Sequence, residues 1–399
     1  SDFGAFKKCI KNNKTGLLCK TEEDWYKKLK KLIDDESLRN ELATNAFNEV
    51  MKSKITTYSG IELANWINSK LPKNIAFILP TTNISGGVNV VIKHCHILRK
   101  HGYDVTIINM DTSNKDIINN DGTIGVINSK KTEILAYFDT MVATLWSTLK
   151  YVREYPNVLN KSYLVQNYET NFGNYGDKMK RNANSTYNAI IPINYLTISK
   201  WCQNWLKDDF KKDSLYAPNG IDLKHFEFKK RNLNKKIKIL IEGNSDDYYK
   251  NVDESFRIVE KLDKEKYEIH FLSYQGEPKK WYYVDKFYHK VPHDEVGKIY
   301  QECDILIKSS ILESFSYPPL EMMATGGMVV VVPNEGNVEY LKDRENCLFY
   351  EQGNIEDAIH KIEELSNDKK LQEKLIKNGL ETAKSREWNN IEKEILKLY

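Results

Sequence analysis

From about residue 74 onward, short apolar runs alternate with stretches whose apolar residues recur every three or four positions. Residues Asn74–Leu79 (NIAFIL) form an uninterrupted apolar run suited to a strand covered on both faces. Gly86-Gly87 follows, then a helical period over residues 88–100 and a strand over Asp104–Asn109. Further strands are predicted at 141–146, 162–166 and 194–198. The turn chemistry of Pro218-Asn219-Gly220 breaks the series. A second series opens at 236–241, with strands at 267–272, 304–308 and 328–332. Alternation of this kind predicts an α/β protein with two Rossmann-like domains, residues 72–222 and 223–399, and a last helix packing back. In open parallel sheets ligands sit beyond the carboxyl ends of the strands, so two such sheets facing each other make a cleft.

The segment before this series is helical, and part of it recurs. LIDDESLRNEL at 32–42 parallels LSNDKKLQEKL at 365–375, with leucines at matching places. Upstream, Thr15-Gly16-Leu17-Leu18 parallels Asn346-Cys347-Leu348-Phe349, and Thr57-Tyr58-Ser59-Gly60 parallels Glu387-Trp388-Asn389-Asn390. Residues 1–70 are therefore expected to be the tail of a preceding, similar domain; two unrelated Lys/Glu-rich helical hairpins are the plainer alternative. Leu71-Pro72-Lys73 reads as the boundary, because proline cannot continue a helix.

Composition narrows the class. Of 399 residues 41% are hydrophobic and 29% charged, which suits ordinary folded cores. The net charge of +3 is too balanced to imply nucleic-acid binding. No apolar run approaches the roughly 20 residues needed to span a bilayer. The basic run at Lys27, Lys28, Lys30 and Lys31 reads as a solvated helix face, with a weak attraction to an anionic membrane surface as the alternative. Six scattered cysteines without a CxxC pair fit a reducing cytoplasm and support neither a zinc site nor a disulfide framework.

The stretch 313–327, ESFSYPPLEMMATGG, follows the strand at 304–308. Pro318 and Pro319 suit the first turn of a helix, with Glu313 before it and Glu321 in its first turns. A helix N-terminus seats a diphosphate, and Glu321 there would accept hydrogen bonds from a ribose diol while Glu313 faces the hexose hydroxyls. A helix-start glutamate is also a common capping charge. His94 and His96 read as surface or core helix residues, and His293 before Asp294-Glu295 as a helix cap.

Four motifs in order give the chain from about residue 72 a resemblance to retaining glycosyltransferases of family 4, with the GT-B fold. They are Gly86-Gly87 after the first strand, Ser199-Lys200, Pro218-Asn219-Gly220-Ile221-Asp222…Phe226, and Glu313…Glu321 followed by Ala324-Thr325-Gly326-Gly327 and a valine strand. The resemblance implies a donor-binding C-terminal domain, an acceptor-side N-terminal domain, and transfer of a sugar from a nucleoside diphosphate. It assigns Glu313 to the catalytic centre, and Glu321, Lys250, Asn244, Ser316, Tyr317, Gly86 and Gly87 to the donor. Asn244 stands where the family usually has an arginine, so one cation is missing from the diphosphate site. Gln166-Asn167-Tyr168-Glu169 further resembles bacterial rhamnosyltransferases that use dTDP-L-rhamnose for surface polysaccharide. The lack of a histidine at that strand end fits a 6-deoxy sugar. Tyr168 and Glu169 would then face the acceptor, Glu169 either as an orienting or base-like group or in a structural role.

Asp246-Asp247 lacks a third ligand, so no metal or other cofactor is expected, and leaving-group charge falls to Lys250 and backbone N–H groups. The expected partners are a nucleotide-sugar donor and a glycan or lipid-linked glycan acceptor, with no nucleic acid. The chain is expected to belong to a larger multidomain protein, in the cytoplasm or at the inner face of the membrane. The rival readings are a catalytically silent sugar-nucleotide-binding domain of a glycan assembly protein, and an epimerase acting on a sugar nucleotide.

Overall fold

The computed structural model describes residues 1–53, 55–68, 73–83, 85–113, 122–129, 136–171, 177–231 and 236–399. The expected boundary at Leu71-Pro72 lies outside them. Contacts divide the chain into two units, Ser1–Pro72 and Lys73–Tyr399.

The first unit contains α1 (Gly4–Cys9), α2 (Glu22–Asp34), α3 (Glu36–Ser53) and α4 (Thr56–Asn68). Several of its hydrogen bonds repeat those of the C-terminal segment. Asn12 and Gly16 form a bridge, as do Asp343 and Cys347. Asn13 and Arg344 both take positive φ, and Leu18 N and Phe349 N donate to the side chains of Asn12 and Asp343. Thr21 and Asn354 cap the following helices, and Asp35 and Asp368 accept from Leu38 N and Leu371 N at the next. The sequence parallel is thus a parallel of local structure.

The second unit holds two parallel sheets. The first is built from β1 (Asn74–Leu79), β2 (Asp104–Asn109), β3 (Gly125–Asn128), β4 (Phe138–Ala143), β5 (Val158–Val165), β6 (Asn194–Thr197) and β7 (Ser214–Tyr216), in the order β3-β2-β1-β4-β5-β6-β7. Between them run α5 (Gly86–Lys100), α6 (Leu149–Glu154), α7 (Asp177–Tyr187) and α8 (Lys200–Phe210). The second sheet has β8 (Ile237–Glu242), β9 (Tyr267–Ser273), β10 (Lys286–His289), β11 (Ile305–Lys308), β12 (Met328–Val331) and β13 (Leu348–Phe349), in the order β10-β9-β8-β11-β12-β13. Its helices are α9 (Val252–Glu260), α10 (His293–Glu302), α11 (Tyr317–Ala324), α12 (Ile355–Asn367), α13 (Lys369–Ser385) and α14 (Trp388–Leu396).

The fully apolar runs are the central strands. β1 is buried from Ile75 to Leu79, and all of β11 and β12 is buried. The strand expected at 141–146 lies instead at Phe138–Ala143. The chain leaves the sheet at Thr144, whose hydroxyl donates to the Ile78 carbonyl (2.7 Å) and whose N–H goes to Thr148 (3.1 Å). α14 crosses back onto α5, where Trp388, Ile391 and Ile395 share one apolar core with Val91 and Cys95. There the imidazole of His94, kept neutral by burial, hydrogen-bonds the Tyr399 hydroxyl at 2.9 Å.

Candidate functional site

Strand order reverses direction beside β1 in the first sheet and beside β8 in the second, and the carboxyl ends there bound a cavity of about 830 Å³. The first sheet contributes Gly86 and Gly87 after β1, Gln166 and Asn167 after β5, and His96 on α5. The second contributes Glu242 and Asn244 after β8, Tyr274 and Gln275 after β9, Lys250, and the loop and helix carrying Glu313, Tyr317 and Glu321.

All the predicted donor-side residues except Ser316 line this cavity, brought there by separate local devices. Ser85 caps α5 by accepting from Val88 N, which leaves Gly86 at the helix start. A Cβ on Gly86 would meet nothing within 4 Å, whereas one on Gly87 would press on the Gln166 amide at 3.3 Å. Pro318 and Pro319 open α11 as expected. Having no N–H, they restrict the free donors at this terminus chiefly to Ser316 and Tyr317. Ser316 is the buried cap of α11 and does not line the cavity; its hydroxyl has no partner. Tyr317 lines the cavity, and burial pushes its phenol well above the usual range.

Electrostatically the cavity floor is a cluster of carboxylates and lysines. Lys250 Nζ donates to both oxygens of Glu313, at 2.9 and 3.1 Å. Glu313 is buried, yet its carboxyl lies below the usual range: burial raises it, and the charges of Lys250 and Lys308 more than offset that. At Glu321 the charges of Glu242 and Lys308 act in opposite directions. Burial pushes its pKa up to about 8, against the opposing pull of the Tyr300 hydroxyl. Asn244 lines the cavity without charge, its side chain accepting from Asp246 N at 3.1 Å.

The two predicted acceptor-side residues lie elsewhere. Beyond Asn167 the chain turns, with Asn171 N bonded to the Tyr168 carbonyl, and folds both side chains into the first domain. Tyr168 stacks on Trp205 at 4.4 Å and meets Tyr187 and Phe210 edge-on. Glu169 is 3% exposed, and its Oε2 accepts from Trp146 N (3.0 Å), Tyr163 (2.8 Å) and Tyr187 (3.2 Å). Neither lines the cavity, and of the two roles expected for Glu169, orienting or base-like on one hand and structural on the other, these contacts match the structural one; Gln166 and Asn167 are the residues of this motif that reach the cleft. The partner aromatics are scattered over 163–210 and give no local signal.

Sequence reasoning missed Glu242, Lys308 and the cleft histidines. Glu242 ends β8 at the switch point, a position the sheet rule marks. Lys308 is the one charge in the strand Ile305–Lys308 and is 1% exposed. His96, His225 and His293 line the cavity, so the histidine-free strand end does not make the cleft histidine-free. His293 opens α10 and packs edge-on against His225 and Phe226 rather than capping; burial lowers its pKa. Among the described residues no group of three or more His, Cys, Asp or Glu side chains is arranged to hold a metal ion. No described helix is long and apolar enough to cross a membrane.

Comparison with known proteins agrees with this geometry. Residues 285–382, from β10 into α13, match the family described as glycosyl transferases group 1. The N,N'-diacetylbacillosaminyl-diphospho-undecaprenol alpha-1,3-N-acetylgalactosaminyltransferase of Campylobacter jejuni is 34% identical over 105 residues, which are 26% of this chain and 28% of that protein. An uncharacterized glycosyltransferase of Methanocaldococcus jannaschii is 25% identical over 226 residues, 51% of this chain and 58% of its own. The chain thus spans between about a quarter and three fifths of the curated relatives it matches. The solved sucrose-phosphate synthase of Thermosynechococcus elongatus aligns with a TM-score of 0.68 at 14% identity, covering 82% of this chain and 98% of that one. The two facing α/β domains are the GT-B fold of glycosyltransferases.

Proposed function

We propose that this chain transfers a sugar from a nucleoside-diphosphate donor bound between the two sheets to a glycan acceptor. The observation that carries this is the convergence of Lys250, Glu313 and Glu321, from three separate loops and helices, on one cavity opposite Gly86 and Gly87. In this reading Glu321 accepts from the ribose diol. The ammonium of Lys250 and the N–H group of Tyr317 meet the diphosphate, and Glu313 faces the sugar. These groups stabilise a departing diphosphate without a metal ion. The resemblance to family 4 supports retention of anomeric configuration, with the leaving phosphate taking the acceptor proton. The relative from Campylobacter jejuni is named for a sugar carried on diphospho-undecaprenol, which favours a lipid-linked glycan as acceptor. With Glu169 and Tyr168 withdrawn from the cleft, Gln166, Asn167 and His96 are the groups of the first domain placed to meet the acceptor. We read residues 1–70 as the tail of a preceding, similar domain, a second copy of the module that closes the C-terminal domain.

The test is a calorimetric titration with UDP, dTDP and GDP, each with and without added magnesium. Binding of one of them, unchanged by magnesium, is the expected outcome. Selective dTDP binding would support a rhamnosyl donor, on which the Gln166–Asn167 motif bears; a UDP or GDP preference would replace that donor while keeping the reaction. Absence of binding by all three would overturn the donor reading.

A further inference from the structure

Lys308 is among the largest fully buried side chains of the molecule, and nothing in the proposed reaction uses it. It ends β11 directly beneath the cavity floor without lining the cavity. Its Nζ donates to the Glu242 carboxylate and to the Glu242 carbonyl (3.0 Å), and lies 3.9 Å from Glu313 Oε1. Glu313 therefore sits between two ammonium groups, Lys250 above and Lys308 below. The two lysines differ in access: Lys250 keeps 22% of its side chain exposed, and Lys308 keeps 1%.

Counting charge shows what the buried lysine is for. The carboxyls at the floor are Glu242, Glu313 and Glu321, and Tyr300 and Tyr249 also face them. Asn244 brings no charge. A diphosphate entering this place needs a cation; of the two lysines lining the cavity, Lys93 is paired with Asp222, and Lys250 lies beside Glu313, to which it is bound in this structure. Lys250 turns to a phosphate more readily if a cation stays beside Glu313 when it leaves. Lys308 is that cation, 3.9 Å from Glu313 Oε1 and fixed in place by the Glu242 carboxylate and carbonyl.

We infer that Lys308 is a positioning residue for the donor. From beneath the floor its single charge, shared between Glu242 and Glu313, lowers the cost of releasing Lys250 to the diphosphate and makes up in part for the cation absent at Asn244. This rests on the donor reading above. It predicts that Lys308→Met, which keeps the length and removes the charge, leaves Lys250 locked to Glu313 and the floor net negative. Affinity for the nucleoside diphosphate should then fall about tenfold or more at neutral pH, as for loss of one charge-assisted contact. Affinity for the matching nucleoside should barely change.

The experiment is calorimetry of the full chain with the tightest binder among UDP, dTDP and GDP, and with its nucleoside, at neutral pH. The double variant Glu242→Gln/Lys308→Met removes both members of the buried pair and should regain most of the loss, which also covers the case in which the single variant folds poorly. A loss that is equal for nucleoside and diphosphate and unrelieved in the double variant would reduce Lys308 to a packing role. A Lys308→Met affinity equal to wild type would overturn this inference alone. A wild-type chain that binds none of the three diphosphates overturns the donor reading and this inference together.

Discussion

Glu169 and Glu313 are both buried glutamates at the ends of sheet strands, and their surroundings drive them in opposite directions. Glu313 has two ammonium neighbours that hold its carboxyl below the usual range. Glu169 has neutral donors only, and burial pushes its pKa up to about 7. Because the folded-state value is raised, Glu169 favours the folded state most below the unfolded pKa, and that contribution is lost as pH rises through about 7. Glu169→Gln, which cannot ionise, should therefore lose less stability than wild type between about pH 5 and pH 8. The difference amounts to up to about 3 kcal/mol for a shift of this size. Denaturant unfolding at a series of pH values measures it, and parallel pH profiles for the two proteins would contradict the assignment. The contrast also shows why residue roles read from one motif separate in the structure. Glu313 is placed by its own loop, whereas the environment of Glu169 is assembled from Tyr163, Tyr187 and the backbone at Trp146.

At the scale of elements, the central strands were legible because burial on both faces writes a continuous apolar run, as in Asn74–Leu79 and Met328–Val331. The edge strands β3 and β10 are half exposed, and β7 and β13 are three and two residues long, so they leave no such run. The helix α11 was legible from Pro318 and Pro319; the loop that delivers Glu313 to it was not, because its shape depends on a distant glycine. A Cβ added at Gly336 would lie 2.1 Å from the Glu313 carbonyl oxygen, so the two backbones are in contact. Gly336→Ala should displace this loop, lower the thermal midpoint by several degrees, and weaken diphosphate binding more than a surface substitution would. Thermal melts and calorimetry on the same preparation check both effects. An unchanged midpoint with unchanged binding would show that the loop yields freely.

At the scale of the molecule, the facing sheets are held by polar ties around the cavity as well as by α14. Glu339, with its carboxylate almost wholly buried, accepts from Lys200 N (2.8 Å) and the Tyr216 hydroxyl (2.5 Å) of the first sheet domain and pairs with Arg386 (2.9 Å) of the second. Arg386 in turn lies over the rings of Phe315 and Tyr340, and Phe315 lines the cavity. The Tyr248 hydroxyl of the second domain donates to the Asn171 carbonyl of the first at 2.9 Å. The cavity is thus a composite of both domains, and the account stands on what its charged floor is for. The most direct measurement is the affinity of wild type and Lys250→Ala for a nucleoside and for its mono- and diphosphate. A phosphate contact predicts a loss that is small for the nucleoside and grows with each phosphate, reaching about tenfold or more for the diphosphate. Equal losses for all three ligands would contradict a diphosphate seat at Lys250, and with it the central claim.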